Sequence, residues 1–101
     1  GLNCGTPSLS AWEIIRDYTD IFISIDDSFI KTALKELHMA GIQSCESGAA
    51  GIGGLLALLN NENLEPARKS LHLTGDTNFL IFNTEGITDP VMYSKLINEA
   101  E

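Results

Sequence analysis

Two polar turns in this chain have residue types and spacing suited to chemistry. The first, Cys45-Glu46-Ser47-Gly48-Ala49-Ala50-Gly51, puts a carboxylate where an extended piece ends and small residues where an apolar helix begins. Helix N-termini carry N–H groups without intrahelical partners, and Gly and Ala let a ligand or another backbone approach closely. The same residues suit tight helix packing, so both readings stand at this point. No Gly-Lys-Ser/Thr follows, and Gly51-Ile52-Gly53-Gly54 does not fit the dinucleotide fingerprint. The second turn, 83–90, reads NTEGITDP. It leaves an apolar run, and in an α/β fold the C-terminal end of a buried strand opens into the crevice where ligands bind. Asn83, Thr84 and Glu85 would occupy that rim. Asn and Gly also favour turns for purely structural reasons, and Asp89 can cap a helix.

Other candidates are weaker. Cys4, Cys45, His38 and His72 are metal-ligand types, but no two share a helical face and no Cys-x-x-Cys pair is present, so no metal site is expected. The cysteines read as ordinary thiols. The 101 residues allow one segment of a fold or one domain, burying about two-thirds of the unfolded surface. A 44% hydrophobic and 20% charged composition fits a globular chain. The net charge of −8 comes from seven acids and three bases on each side of Ser47. That even spread supplies no basic patch for nucleic acid or an anionic membrane. Without a spanning or secretory segment, a cytoplasmic location is expected.

The elements that must position the turns follow from periodicity. Residues 1–9 read as a loop. Ser10 and Glu13 have capping-box spacing and predict a helix with Trp12, Ile15 and Tyr18 inward. The run 21–25 is β-branched and aromatic and predicts a strand. Asp26, Asp27 or Ser28 caps a helix whose Phe29, Ile30, Ala33, Leu34 and Leu37 recur at helical period, with Gly41 as its stop. Residues 42–45 form a short extended piece, and 47–59 read as a helix apolar nearly all round. Asn63 is expected to cap another helix through Leu71, with Pro66 in its first turn. Gly75 and Asp76 turn into 78–82, a strand covered on both faces as in a parallel sheet. Asp89 and Pro90 open the last helix, with Val91, Leu96 and Ile97 facing in. The expected fold class is therefore α/β, a partial parallel sheet with packed helices over residues 1–101. Two clear strands are too few for an ordinary sheet, so a larger parent with its missing part upstream is expected.

The stretches CESGAAGIGGLLALL, FLIFNTEGITDP and GLNCGTPSLSAWEI resemble the C-terminal part of diaminopropionate ammonia-lyase, a fold-type II pyridoxal-phosphate enzyme, over essentially the whole chain. Threonine synthases are more distantly similar; laid on their pattern, Asn83 stands where they carry a hydroxyl residue, and Asp89-Pro90 falls in register. The resemblance implies a lyase that converts 2,3-diaminopropionate to pyruvate and ammonia by β-elimination, with pyridoxal 5′-phosphate as cofactor. It implies that Asn83, or next Thr84, donates a neutral hydrogen bond to the pyridine nitrogen, that Glu46 lies near the ring edge, and that Gly48 leaves room for the ring.

The family's cofactor-binding lysine, Gly-rich phosphate loop and acid/base residues lie upstream of the matched segment. Lys31, Lys35, Lys69 and Lys95 match no such motif. No catalytic residue is therefore assigned, and the 101-residue chain alone is expected to be inert. Its expected partners are an amino-acid substrate and the rest of the same enzyme chain. Apolar surface left by a missing neighbour would favour self-association, so a homo-oligomer is expected. Two alternatives remain: another fold-type II enzyme of the threonine synthase or dehydratase kind, and a non-catalytic α/β module that binds a small ligand or a partner.

Overall fold

The structure, a computed structural model, describes residues 4–99; the first three residues of the expected opening loop lie outside them. Five α-helices follow in order: α1 Leu9–Tyr18, α2 Asp27–Met39, α3 Ala50–Asn60, α4 Glu65–Ser70 and α5 Pro90–Asn98, with a 3-10 turn at Glu62–Leu64 before α4.

The centre is α2. Ile30, Ala33, Leu34 and Leu37 recur at three and four residues, so they share one face, and all four are buried. That face packs against Ala49, at the start of α3, and against Leu96 of α5, with Ile52, Leu56, Tyr93 and Ile97 at its margins. Leu34, 1% exposed, is the largest fully buried apolar side chain. Burial of such a side chain stabilises the fold by about 1.5–3 kcal/mol. Gly41, at φ 77, ends α2: its N–H donates to the His38 carbonyl, and that of Ile42 to Leu37 at 2.8 Å. This left-handed exit turns the chain into 42–45 and so towards the first polar turn.

The expected parallel sheet is absent among the described residues, all of whose regular elements are helical. The segments 21–25, 42–45 and 78–82 carry no ladder. A helix satisfies its backbone within one segment, whereas a strand needs a neighbour to accept and donate. β-Branched composition favours an extended backbone but supplies no partner, and an isolated strand or pair is marginal in water. The side chains agree: Leu80 and Phe82 are exposed, where the expected strand covered on both faces would bury them. The α/β expectation is corrected to an all-helical arrangement joined by unpaired connecting segments.

Smaller corrections concern the ends. Ser8, not Ser10, caps α1, its hydroxyl accepting the Ala11 N–H at 3.3 Å. Helix α1 buries none of its residues, so Trp12, Ile15 and Tyr18 do not face a core; Trp12 stacks tilted on Phe22, 6.2 Å between ring centres. Asp26 begins α2 without a side-chain cap bond. Asn61 rather than Asn63 caps the 3-10 turn that leads into α4. Asp89 caps α5 as expected, its carboxylate accepting the Met92 N–H at 3.0 Å, with Pro90 in the first turn. Leu96 is buried there, but Val91 is 81% exposed.

Candidate functional site

The two polar turns meet. Thirty-nine residues apart in sequence, Ser44 and Asn83 are joined by a hydrogen bond of 2.7 Å from the serine hydroxyl to Asn83 Oδ1. The carboxamide nitrogen of Asn83 donates to the Gln43 carbonyl at 2.9 Å. The Cys45 thiol donates to Glu85 Oε2 at 3.0 Å and accepts the Gly48 N–H at 3.4 Å. Ser44 is completely buried, and its hydroxyl also lies 3.1 Å from the Cys45 carbonyl. A buried hydroxyl with no partner would cost about 1–3 kcal/mol; here the bond to Asn83 satisfies it.

Gly48 explains how closely the turns approach. A Cβ at this position would lie 2.5 Å from Asn83 Oδ1, 2.6 Å from the Glu85 carbonyl oxygen and 2.6 Å from Ser44 Oγ. The missing side chain thus makes room for the chain's own second turn. The Glu46–Ala49 turn closes through the Ala49 N–H donating to the Cys45 carbonyl at 2.9 Å, and leads directly into α3.

Between the turns and helices α2 and α5 lies a cavity of about 240 Å³. One wall is apolar: Leu34 of α2, Ile87, and Met92, Tyr93 and Leu96 of α5. The other is polar, with the hydroxyls of Ser44, Ser47 and Thr88 and the carboxylates of Glu46, Glu85 and Asp89. An apolar wall facing a few convergent polar groups is the usual make-up of a small-molecule site. Tyr93 is held in place by His38, whose Nδ1 lies 2.8 Å from the phenol oxygen, the rings meeting edge to face.

Of the residues singled out from sequence, Glu46 lines the cavity, and Gly48 sits behind it in the contact between the turns. Asn83 and Thr84 are exposed and are not among the lining residues. Sequence reasoning missed Ser44, Thr88 and Tyr93. The available signal for Ser44 was a single hydroxyl residue in the extended piece directly before the Cys45-Glu46 turn; nothing local marked Tyr93, whose partner is 55 residues away.

Pyridoxal phosphate can be tested against this lining. The ring side fits: an aromatic and aliphatic wall faces the neutral hydroxyl residues Ser47 and Thr88, either of which can serve a ring nitrogen. The phosphate side does not, since the lining offers three carboxylates and no lysine or arginine. No lysine reaches the cavity wall: Lys31 pairs with Glu99 at 2.8 Å, Lys69 with Glu65 at 3.3 Å, and Lys35 donates to the Glu99 carbonyl. The Lys31–Glu99 pair ties the end of α5 to α2. Hydrogen bonding first, and then charge attraction, raise the Lys31 ammonium above its ordinary range and hold the Glu99 carboxyl below its own. No helix is long and apolar enough to cross a membrane among the described residues.

No protein-family model matches the chain, and no solved structure matches it. Among curated proteins, it is similar to diaminopropionate ammonia-lyase of Salmonella typhimurium strain LT2, 37% identical over 103 aligned positions that span 96% of this chain and 26% of that protein. It is also similar to diaminopropionate ammonia-lyase of Escherichia coli strain K12, 34% identical over 106 positions that span all of this chain and 27% of that protein. The chain is thus homologous, across essentially its whole length, to about one quarter of diaminopropionate ammonia-lyase.

Proposed function

We propose that this chain forms the ring side of the cofactor pocket in a pyridoxal-phosphate-dependent lyase that eliminates ammonia from 2,3-diaminopropionate. What supports this above all is the meeting of the two polar turns around one cavity, in a chain homologous throughout to that lyase. The balanced reaction consumes one water and yields pyruvate and two ammonia molecules. Bound pyridoxal phosphate supplies an electron sink for the α-carbon of the substrate.

This chain's own residues hold and orient. A hydroxyl of Ser47 or Thr88 donates to the ring nitrogen without protonating it, while the Ser44 proton stays with Asn83 Oδ1. Such a ring withdraws electrons less strongly, which suits a substrate whose β-ammonium group leaves as neutral ammonia. Glu46 stands at the ring edge, and Leu34, Tyr93 and Leu96 exclude water from one face. The phosphate cradle, the anchoring lysine and the acid/base groups come from the remaining three-quarters of the enzyme, as the lining without lysine or arginine suggests. The exposed apolar side chains of α1, 21–25 and 78–82 dock against that same part.

A chimera tests the proposal. These 101 residues replace the matching segment of the Salmonella enzyme, and pyruvate release from diaminopropionate is followed together with cofactor retained after desalting. Retention and turnover are expected, and the 101-residue chain by itself should give neither. A folded chimera that keeps no cofactor would refute the assignment.

A further inference from the structure

We propose that α5 is a hinged wall of the cavity, latched by one stripe of α2, and that His38 and Glu99 are positioning residues acting on the cavity's contents through Tyr93 and Leu96. Neither His38 nor Glu99 lines the cavity. What the cavity holds rests on the pocket assignment above; the latch does not. Helix α5 supplies Met92, Tyr93 and Leu96 to the lining, yet Leu96 is the one buried residue described in it, against four in α2 and three in α3. A helix with so little apolar burial belongs to the low-stability end of a fold and can open without global unfolding.

Three polar ties offset this, and all start from α2 residues spaced four and three apart, Lys31, Lys35 and His38, which therefore form one stripe. Lys31 pairs with the Glu99 carboxylate, Lys35 donates to the Glu99 carbonyl, and His38 meets the Tyr93 hydroxyl. The stripe runs beside the buried Ile30, Leu34 and Leu37, so the ties flank the apolar contact made by Leu96. The other end of the wall is fixed independently: segment 83–85 is bonded to residues 43–45, and Asp89 caps the first turn of α5. Between these anchors 86–88 carry no regular structure, so α5 can swing about that stretch once its far end is released. Release draws Tyr93 and Leu96 away from Leu34 and opens the apolar side of the cavity to water.

Hydrogen exchange in the 101-residue chain tests the latch. Amides 93–98 should exchange through a local opening that spares the interior of α2 and α3. His38→Leu and Tyr93→Phe should each speed that exchange by about fivefold, and the double variant should go little further, because the same bond is lost. His38→Asn, whose carboxamide places a hydrogen-bonding atom near the position of Nδ1, should restore most of the protection. Glu99→Gln should speed exchange more modestly, and high salt should erase its difference from wild type. The chimera provides a separate reading: loaded with pyridoxal phosphate, it should lose cofactor faster in His38→Leu and Tyr93→Phe by the same factor, with His38→Asn close to wild type. Exchange of α5 only together with α2 and α3, or exchange unchanged by His38→Leu and Glu99→Gln, would overturn the latch. Cofactor loss unchanged by His38→Leu and Tyr93→Phe would overturn the positioning role. Selective α5 exchange beside a chimera that retains no cofactor would support the latch while removing the pocket assignment.

Discussion

Replacing Gly48 by alanine should open the contact between the two turns. The added methyl would meet three oxygens at 2.5–2.6 Å, and one of them, the Glu85 carbonyl, is backbone that cannot swing aside. Overpacking of this kind costs about 1–3 kcal/mol. If the turns part, the Ser44–Asn83 bond goes as well, about 0.5–1.5 kcal/mol more. The combined loss is then on the order of 2–4 kcal/mol. Gly54, in the interior of α3 with open space within 4 Å of where a methyl would stand, is the internal control. There alanine should stabilise by about 0.5–1 kcal/mol through helix propensity. Urea denaturation of the chain with each variant gives both values. Opposite signs are expected. If Gly48→Ala stays within about 0.5 kcal/mol of wild type, as an uninvolved surface position would, the turns are not closed as described.

Other expected outcomes extend to the rest of the chain. Leu34→Ala, at the most buried large apolar position, should cost about 2–5 kcal/mol in the same denaturation assay. His72 sits at φ 54, where the chain leaves α4 with the Leu73 N–H donating to the Arg68 carbonyl, so His72→Gly should stabilise by up to about 1 kcal/mol and raise the thermal midpoint. Because Glu99 has its carboxyl lowered by Lys31, its contribution is complete above the unfolded carboxylate pKa and fades as pH falls through the folded value. Thermal midpoints of wild type and Glu99→Gln should therefore differ at neutral pH, converge on acidification, and converge also in high salt, since the pair is solvent-exposed.

Local chemistry was legible in the sequence and non-local pairing was not. The Asp89-Pro90 cap, the Gly41 stop and the α2 face of Ile30, Ala33, Leu34 and Leu37 all depend on residues within one or two turns of each other, and the structure keeps them. The assignment of 21–25 and 78–82 as strands depended on neighbours elsewhere in the chain, and among the described residues none pairs with them. The expected inward face of α1 failed for the same reason: Trp12 and Tyr18 form an apolar pattern with no core beneath it. At the site, the two turns were recognisable by type, and the structure brings them together. The bond that joins them was not legible, because Asn83 and Ser44 stand thirty-nine positions apart.

The central claim is that the cavity between the 44–47 and 85–89 segments receives the pyridine ring. A crystal structure of the cofactor-loaded chimera tests this most directly. The account predicts the ring nitrogen within hydrogen-bond distance of a hydroxyl of Ser47 or Thr88, with Glu46 at the ring edge and Asn83 still bonded to Ser44 and Gln43. A ring bound elsewhere, with this cavity collapsed or filled by the protein's own side chains, would contradict it.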